Sequence, residues 1–331
     1  MKAIVMTAIG ESVVLVEQTL EQPTLQTSTQ IKVRLHAAGV NPVDTKVRRN
    51  GLFYPNATLP AVLGCDGAGE VVEVGADVTQ FSIGDKVWFC HGGLGREQGN
   101  YAEYTVIDSR WASLMPQSVS FETAAAAPLV LITAWNALFE RGNLQAGQTV
   151  LIHAGAGGVG HVAIQLAKMA GAHVITTVSS TEKAAFVKTL GADDIVFYNL
   201  SNVADEVNRL TQNRGADLVF DTVGSDVFKL SIGCTAHFGR LITILDASHL
   251  DLSEARMRNL LIGFELMLTP MLRDLDSARD KHVELLKKCA DLIDAGTLKI
   301  HVSEVLTLEN AARAHDLIEA GHTIGKLVLS I

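Results

Sequence analysis

The sequence predicts an α/β protein in which a β-rich unit is combined with a doubly wound parallel sheet. Residues 1–110 carry short strands separated by glycines, and strands alternate with amphipathic helices from about Phe121 onward. A chain of 331 residues is long enough for two domains of ordinary size. A glycine-rich turn between one of the later strands and its helix supports the same fold class and indicates a ligand.

The first segment has the pattern of a small, irregular β unit. Apolar and polar residues alternate in IKVRLHAAGV, and the runs AGEVVEVGADV and GDKVWFC are short strands bounded by glycine and aspartate. Glycines are frequent between residues 64 and 99, and tight turns and bulges favour this residue. We therefore expect a compact, barrel-like arrangement of short strands.

The second segment alternates strands and helices as βαβ units do. After the helical run FETAAAAPLVLITAWNALF, the strand VLIHA leads into the helix VGHVAIQLAKMAG, and HVITTV leads into TEKAAFVKTLG. Further strands are DIVFY, DLVFDTVG and GRLITIL, the last of which closes the series. This alternation predicts a parallel sheet. Later we expect one long amphipathic helix, ARDKHVELLKKCADLIDAG, and a strand, GKLVLSI, that returns to the first unit.

Charge and composition argue against several classes of partner. The net charge is −9, from 27 basic and 36 acidic residues, and no cluster of lysines and arginines offers a surface for nucleic acid. The N-terminus has the pattern of a strand rather than a signal peptide, and the apolar run 124–134 is too short to span a bilayer. The chain has four widely spaced cysteines, Cys65, Cys90, Cys234 and Cys289. They form no CxxC pair, which fits a reducing, cytoplasmic location.

The segment 153–160, HAGAGGVG, has the spacing of a dinucleotide-binding turn. Gly155 would make the tight turn, Gly157 would let the backbone approach a pyrophosphate, and Gly160 would let helix and strand pack closely. Gly158 and Val159 lie where the helix N-terminus stabilises phosphate charge. The motif follows a β run and opens a helix, as this function requires. The alternative is a glycine-rich turn in another α/β fold.

The end of the next strand indicates which nicotinamide cofactor is bound. An NAD-preferring site has an acidic residue about 20 residues beyond the turn, where this chain has Ser179 and Ser180. Two hydroxyls with Lys183 nearby suit a 2′-phosphate, so NADPH is favoured over NADH. Alternatively, Ser179 only caps the helix TEKAAFVKTL, with Glu182 in the capping-box position, and the two roles can coexist.

Several spaced motifs together resemble one enzyme family. They are AAGVNPVD, PAVLGCDGAGEVVEVGADV, FSIGDKVW, GNYAEYTVID, AAAAPLVLITAWNAL, VLIHAGAGGVG and HTIGKLVL. The chain resembles the medium-chain dehydrogenase/reductase superfamily, and within it the zinc-independent quinone oxidoreductase (zeta-crystallin-like) branch. The resemblance implies a GroES-like β-rich catalytic domain, residues 1–122 and 270–331, and a Rossmann NADPH-binding domain, residues 123–269. It also implies a homodimer, in which an edge strand, GRLITIL or a neighbour, continues into the partner's sheet.

The zinc-dependent alcohol dehydrogenases of this superfamily carry metal ligands that this chain replaces. By the resemblance, Asn41 stands for their first cysteine, Cys65 for their histidine, and their third ligand falls near Leu129. One thiol beside Asp66 does not build a site of three protein ligands and a water. Their structural zinc needs four closely spaced cysteines, and only Cys90 is present in that region. We therefore predict no metal site.

The predicted absence of zinc bears on the reaction. Without a Lewis acid, removing hydride from an alcohol is difficult, whereas a quinone or an α,β-unsaturated carbonyl accepts hydride at carbon while hydrogen-bond donors stabilise its oxygen. The prediction is an NADPH-dependent reductase of such acceptors. Lys46 stands where many quinone reductases carry tyrosine, which argues against a flat aromatic quinone. An ad hoc zinc site of Cys65, Cys90 and His91 stays open as an alternative.

The resemblance also assigns residues to the site of hydride transfer. Asn41 would lie near the nicotinamide, with a turn role before Pro42 as the alternative, and Asp44 would brace the same loop. Thr133 would contact the nicotinamide, or else bond back to a helix carbonyl. Tyr54 is the candidate proton donor, with solvent as the alternative source.

The remaining assignments concern the cofactor. Lys183 and Tyr198 match positions around the 2′-phosphate and adenosine, although a solvated helix face is the commoner place for a lysine. Thr243, Ile244 and Leu245 follow a strand, where ligands bind in open α/β sheets, and Lys326 matches a position close to the cofactor.

Two rival functions follow from the same sequence. The first is a zinc-dependent alcohol dehydrogenase. The second is a non-catalytic protein that binds NADPH and serves a structural or RNA-binding role, as some relatives of this branch do. Stoichiometric zinc would favour the first, and NADPH binding without turnover would favour the second.

Overall fold

A computed structural model describes residues 1–246 and 250–331, which form two compact units. The first unit consists of Met1–Leu129 and Leu268–Ile331, and the second of Val130–Met267. The strands are β1 (Lys2–Met6), β2 (Leu15–Thr19), β3 (Gln30–Val40), β4 (Ala61–Val62), β5 (Asp66–Val74), β6 (Lys86–Cys90), β7 (Tyr104–Asp108), β8 (Ser113–Leu114), β9 (Thr149–Ile152), β10 (His173–Val178), β11 (Asp194–Phe197), β12 (Ala216–Asp221), β13 (Thr235–Thr243), β14 (Leu261–Phe264), β15 (Val302–Thr307) and β16 (Lys326–Ser330).

Helices connect and cover these strands. The α-helices are α1 (Pro42–Asn50), α2 (Phe121–Ala125), α3 (Pro128–Trp135), α4 (Gly158–Met169), α5 (Thr181–Thr189), α6 (Val203–Leu210), α7 (Asp226–Cys234), α8 (Ser253–Met257), α9 (Thr269–Leu272), α10 (Asp276–Asp294) and α11 (Ala311–Ala320). A π-helical segment, Asn136–Arg141, continues α3, and short 3₁₀ turns occupy Ser12–Val14, Ser109–Trp111 and Leu308–Asn310. No helix of the described ranges combines the length and apolar character needed to cross a membrane.

The first unit contains a sheet of three strands and a larger one of seven. The small sheet has the order β2-β1-β4, and the large one has the order β15-β16-β3-β5-β6-β8, with β7 also paired to β3. The alternation predicted in IKVRLHAAGV appears as the buried side chains of Ile31, Val33 and Leu35, which pack with Val71 and Phe89. The core of this unit therefore lies on one face of its large sheet.

The predicted return of the last strand is confirmed. β16 pairs antiparallel with β3, so that Leu327 lies opposite Val40. β15 pairs parallel with the other edge of β16, which places β16 inside the sheet. Lys326 is thereby brought next to the end of β3, although the two segments are far apart in the sequence.

The second unit is a parallel sheet of six strands in the order β11-β10-β9-β12-β13-β14. This is the doubly wound order of dinucleotide-binding folds, in which ligands bind where the order reverses, here between β9 and β12. Leu151, Ile175, Val219 and Leu241 are fully buried, one on each of the four central strands. The predicted α/β class is confirmed.

Two details of the predicted organisation differ from the structure. GRLITIL does not close the sheet, because β13 lies between β12 and β14, and the four residues of β14 are too short for a clear strand pattern. The first unit extends to Leu129, beyond the expected boundary at residue 122, since α2 contacts β3 and β5 and the Leu129 amide bonds to Asp66. The second boundary falls at Met267, close to the expected residue 269.

Candidate active site and cofactor site

The glycine-rich turn is shaped by close contacts that side chains would prevent. A Cβ on Gly155 would overlap Thr176 Oγ1 and lie 2.9 Å from Ile164 Cδ1. A Cβ on Gly160 would overlap the carbonyl oxygen of Ala154 and lie 2.7 Å from Gly155 Cα. These two glycines therefore allow α4 to pack directly on the strands, as the sequence pattern predicts.

Gly157 has a different environment. It is the N-cap of α4, and the nearest atom that a Cβ there would meet is the Ala154 carbonyl oxygen at 3.2 Å. Gly158 and Val159 begin the helix, so their amides belong to the first turn, which has no intrahelical acceptors. Because Gly157 has no side chain, a pyrophosphate could approach the free amides at the N-terminus of α4.

A buried histidine, His153, holds the start of this turn through hydrogen bonds. His153 Nε2 lies 3.0 Å from Ser231 Oγ and Nδ1 lies 3.3 Å from Thr177 Oγ1, which also accepts from the Ala154 amide at 3.0 Å. Because Ser231 donates its hydroxyl to the Val227 carbonyl, His153 must donate through Nε2. Burial lowers the pKa of His153 to about 4, so the ring is neutral at pH 7.

The predicted adenosine-side residues follow the ends of β10 and β11. Ser180, not Ser179, is the N-cap of α5, and its Oγ accepts from the Lys183 amide at 3.2 Å. The prediction of Ser179 as the cap is wrong because the helix begins one residue later, which also removes Glu182 from the capping-box position. Lys183 is half-buried, and Tyr198 is 54% exposed.

Thr243 is held by an acidic residue that the sequence alone did not single out. Its Oγ1 donates to Asp221 Oδ2 at 2.9 Å, and Asp221 Oδ1 accepts from the amides of Val223 and Gly224, each at 2.9 Å. Asp221 is fully buried and ends β12, a strand-end position that could have marked it. Ile244 and Leu245 follow as half-buried residues.

The predicted cofactor residues of the second unit thus lie at one edge of its sheet. The glycine-rich turn follows β9, the two serines follow β10, Tyr198 follows β11 and Thr243 ends β13. These strands are parallel, so their carboxyl ends share an edge. Thr133 also belongs to this unit, within α3, and is 4% exposed.

A buried polar cluster in the first unit surrounds Asn41. Lys326 Nζ donates to the Val40 carbonyl at 2.8 Å and to Asn41 Oδ1. Asn41 Nδ2 donates to Asp66 Oδ2 at 2.9 Å, and Asp66 Oδ1 accepts from the Leu129 amide at 2.9 Å. Lys326 is 2% exposed, and Asn41 and Asp66 are fully buried. The Asn41 amide is therefore fixed from both of its ends.

The same cluster extends behind the loop that begins α1. Asp44 Oδ2 accepts from the backbone N–H of Asn41 at 2.8 Å and from the Tyr101 hydroxyl at 3.0 Å, and that hydroxyl lies 3.3 Å from His315 Nε2. Asn41 is the N-cap of α1, so Asp44 does brace this loop. Neither Tyr101 nor His315 was identified from the sequence, since each is separated from Asn41 by a long stretch of chain.

Burial sets the charge balance of the cluster. It raises the pKa of Asp44 to about 7 and that of Asp66 to about 6, against the opposing effect of their hydrogen bonds and of Lys326. Burial also lowers the pKa of Lys326, although both carboxylates act to raise it. The charge of one buried ammonium group thus acts on two carboxyl groups whose pKa values are raised by burial.

The residues at the expected zinc positions do not form a metal site. Burial raises the pKa of the Cys65 and Cys90 thiols well above its ordinary value, and His91 Nδ1 accepts from Arg279 Nη2 at 2.8 Å. Within residues 1–246 and 250–331, no three histidine, cysteine or acidic side chains converge on a point that a metal ion could occupy. The alternative set of Cys65, Cys90 and His91 is therefore not assembled.

Tyr54 belongs to the first unit but not to the cluster around Asn41. Its hydroxyl donates to the Met271 carbonyl at 3.0 Å, and the Arg96 guanidinium lies 4.7 Å from its ring centre. Burial raises the pKa of this phenol. As a proton donor, Tyr54 would have to give up its bond to Met271.

A parallel sheet with a glycine-rich turn at its switch point is typical of dinucleotide-binding proteins. Comparison with known proteins agrees. Residues 27–117 match the alcohol dehydrogenase GroES-like domain, and residues 190–329 match the zinc-binding dehydrogenase family. The chain is 36% identical to a quinone oxidoreductase of Pseudomonas aeruginosa, with 93% of each chain covered. It is 32% identical to a 2-haloacrylate reductase of a Burkholderia species, covering 91% of this chain and 90% of the relative.

Solved structures show the same similarity over the whole chain. The quinone oxidoreductase of Escherichia coli complexed with NADPH superimposes with a TM-score of 0.89 at 28% identity, with 100% of each chain covered. A structure described as an NAD-dependent alcohol dehydrogenase superimposes with a TM-score of 0.90 at 34% identity, again with 100% of each chain covered. The chain belongs to the medium-chain dehydrogenase/reductase superfamily. It is an oxidoreductase that uses a nicotinamide cofactor and a small-molecule substrate.

Proposed function

We propose that the enzyme transfers hydride from NADPH to a quinone or an α,β-unsaturated carbonyl compound without zinc. The observation that carries this proposal is the buried contact between Lys326 and Asn41, with Asp66 on the other side of the amide. An ammonium group there occupies the region in which zinc-dependent relatives need anionic or neutral metal ligands. The quinone oxidoreductases and the 2-haloacrylate reductase among the relatives support acceptors of this kind.

When bound, the nicotinamide supplies a hydride, and the residues of the first unit position and stabilise the acceptor. Asn41 Oδ1 accepts from Lys326 and one Nδ2 proton is donated to Asp66, so the second Nδ2 proton, which has no partner among the described residues, can bond the acceptor oxygen. Because Lys326 carries a positive charge and bonds to Oδ1, it makes the Nδ2 proton of Asn41 a stronger donor. This donor stabilises the acceptor oxygen, on which negative charge develops during hydride transfer. A donor fixed before the reaction is effective because it needs no reorganisation.

The proton that completes the reduction is assigned to Tyr54 or to solvent. Tyr54 lies in the first unit, and its raised pKa keeps it protonated at neutral pH. Its hydroxyl bond to Met271 must break before the transfer. A Tyr54→Phe variant that keeps full activity would assign the proton to solvent.

The most informative experiment is a substrate panel of quinones and enones, run with NADPH and NADH side by side on protein of known metal content. We expect turnover with NADPH, a strong preference over NADH, and no zinc requirement. Stoichiometric zinc needed for turnover would establish the alcohol dehydrogenase alternative. Tight NADPH binding without turnover on any acceptor would establish the non-catalytic alternative.

The cofactor preference is predicted to depend on the charge of Lys183. In a Lys183→Gln variant we expect the KM for NADPH to rise about 10-fold or more, because a charge-assisted bond to the 2′-phosphate is lost, while the KM for NADH changes little. Ser180→Asp keeps a good helix cap and adds a negative charge, so it should also disfavour NADPH. Lys188→Gln on the same helix is the control, since Lys188 Nζ donates to the carbonyls of Ala192 and Asp193. Equal effects on both cofactors would argue against NADPH specificity.

We also propose a homodimer formed through β14. Among the described residues this strand pairs only with β13, and it presents Leu261 and Phe264 with 58% and 57% exposure. An unpaired apolar edge favours pairing with a second copy. Replacing both residues by lysine should convert a dimer to a monomer in light scattering, whereas Ile83→Lys, on an exposed residue of the first unit, should not. A wild-type monomer would contradict the proposal.

The cytoplasmic location is part of the same proposal. It rests on the spacing of the four cysteines, all of which are free thiols in the structure.

A further inference from the structure

Arg279 is a buried cation with no carboxylate at contact distance among the described residues. It lies in the first turn of α10 and is 8% exposed. Its Nη2 donates to His91 Nδ1 at 2.8 Å, and its guanidinium carbon lies 3.9 Å from the centre of the Trp111 ring. In the part of the chain that the structure describes, no acidic oxygen lies within 4.0 Å of this guanidinium. A buried charge usually requires such a partner.

Neither His91 nor the nearby carboxylates neutralise this charge. Burial, reinforced by the charges of Arg279 and Arg96, lowers the pKa of His91 to about 3, so the imidazole is a neutral acceptor. The carboxylates around α10 are bound by two other arginines. These pairs are Arg96–Glu97 at 2.9 Å, Arg96–Asp274 at 2.7 Å, Arg110–Asp276 at 3.0 Å and Arg110–Asp280 at 2.6 Å.

The cost of burying the Arg279 charge exceeds the stabilisation from nearby negative groups. Burial lowers the pKa of the guanidinium, even though the charges of Glu97 and Asp276 act to raise it. The nearby carboxylates that pair with Arg96 and Arg110 are more exposed, so solvent screens them more than it screens Arg279. An anion bound to Arg279 would therefore compensate the guanidinium charge, which has lost its water on burial.

Arg279 lies on the side of the first unit that carries the Asn41 cluster. His91 directly follows Cys90, and Cys90 is the strand partner of Asp66, which holds the Asn41 amide. The charge of Arg279 also affects the pKa of both Cys90 and Tyr54. The unpaired guanidinium is thus close to the groups that we assign to the acceptor.

We propose that Arg279, held by His91 and Trp111, binds a carboxylate on the acceptor, so that the preferred substrates are α,β-unsaturated carbonyl compounds that also carry a carboxylate group. The Nη2 group uses one of its two protons on His91, so its second proton, together with Nη1 or Nε, can bind the two oxygens of a carboxylate. This inference rests on the proposed function, since it names the class of acceptor.

The test compares acetylacrylate, an enone acid, with its methyl ester, using NADPH. Reduction adds a hydride from NADPH to one alkene carbon and a proton from water to the other, and it gives levulinate and NADP⁺. The wild-type enzyme should favour the acid in kcat/KM. In Arg279→Met the ratio of acid to ester should fall about 10- to 100-fold, as expected for loss of a charge-assisted pair. Arg279→Lys should retain part of the preference, and Lys287→Met on the same helix should keep the wild-type ratio.

Product inhibition gives an independent measurement that needs no variant. Levulinate should inhibit the wild-type enzyme more strongly than methyl levulinate, and Arg279→Met should remove that difference. The inference is overturned if the wild-type enzyme treats acid and ester alike, or if Arg279→Met lowers both equally. Reduction of the ester without preference for the acid would reject this inference alone, whereas no reduction of either compound or of any quinone would reject the proposed function.

Discussion

Replacement of Gly160 by alanine is expected to destabilise the parallel-sheet unit by about 3 kcal/mol or more and to abolish cofactor binding. The added Cβ would overlap the Ala154 carbonyl oxygen and approach Gly155 Cα to 2.7 Å. Both are backbone atoms of the turn, so they cannot move aside cheaply. Thermal unfolding followed by circular dichroism, together with fluorescence titration of NADPH, measures the two effects.

Gly157→Ala is the matched comparison within the same turn. Its Cβ would meet only the Ala154 carbonyl oxygen at 3.2 Å, and its backbone angles suit any residue. We expect a melting temperature close to that of the wild-type protein, but NADPH affinity weaker by about 10-fold or more, since the new methyl group keeps a phosphate away from the helix. If Gly157→Ala binds NADPH normally, the pyrophosphate does not lie on this turn. If Gly160→Ala is stable, the close packing of α4 is not required.

Replacement of Lys326 by methionine is predicted to have the second large effect. Lys326 does not contact Asp66, but its charge compensates that buried carboxylate, and leaving a buried charge uncompensated costs up to about 3–5 kcal/mol. Asp66 would keep its hydrogen bonds but lose the favourable charge of Lys326, and the side-chain amide of Asn41 would lose the contact that fixes Oδ1. We expect a strong loss of stability and a kcat lower by about 100-fold, as for loss of one preorganised donor.

The pH dependence of the Lys326→Met variant follows from the pKa of Asp66. That pKa is about 6 with Lys326 present, above its value in an unfolded chain, and removing the ammonium raises it further. A carboxyl with a raised folded pKa costs no stability below its unfolded pKa; the cost grows with pH from there and levels off above the folded pKa, which lies higher in the variant than in the wild-type protein. The variant should therefore lose more stability relative to wild type at pH 8 than at pH 5, measured by urea unfolding. Adding Asp66→Asn should recover part of the loss, and a pH-independent loss would contradict this explanation.

Much of the fold could be predicted because its signals are local. Short-range patterns predict the glycine-rich turn at residues 155–160, the strands on either side of it and the alternation in β3. The structure contains this turn before α4, the parallel strands and the alternating burial along β3. The strand-like pattern of GKLVLSI predicts a return to the first unit, and β16 pairs with β3 there. The edge strand β14 was missed because four residues carry too little periodicity.

The buried polar cluster could be predicted only in part, since its contacts join distant segments. Asn41 bonds to Asp66 across 25 residues and to Lys326 across 285, and Tyr101 contacts His315 across 214. Asn41 and Lys326 were identified by resemblance, whereas Asp66 entered only as an inadequate zinc ligand. Arg279 was missed because nothing in the helix ARDKHVELLKKCADLIDAG distinguishes a buried arginine from a solvated one. Only the tertiary structure shows which charged side chains are buried away from solvent.

The position of β16 within the seven-stranded sheet has a consequence for synthesis on the ribosome. The parallel-sheet unit is continuous in the chain from Val130 to Met267, so it can fold while later residues are still being added. The β-rich unit must wait, because β16 inserts between β15 and β3 and brings Lys326 to an asparagine made 285 residues earlier. The nascent polypeptide is therefore expected to bind nucleotide before it can catalyse hydride transfer.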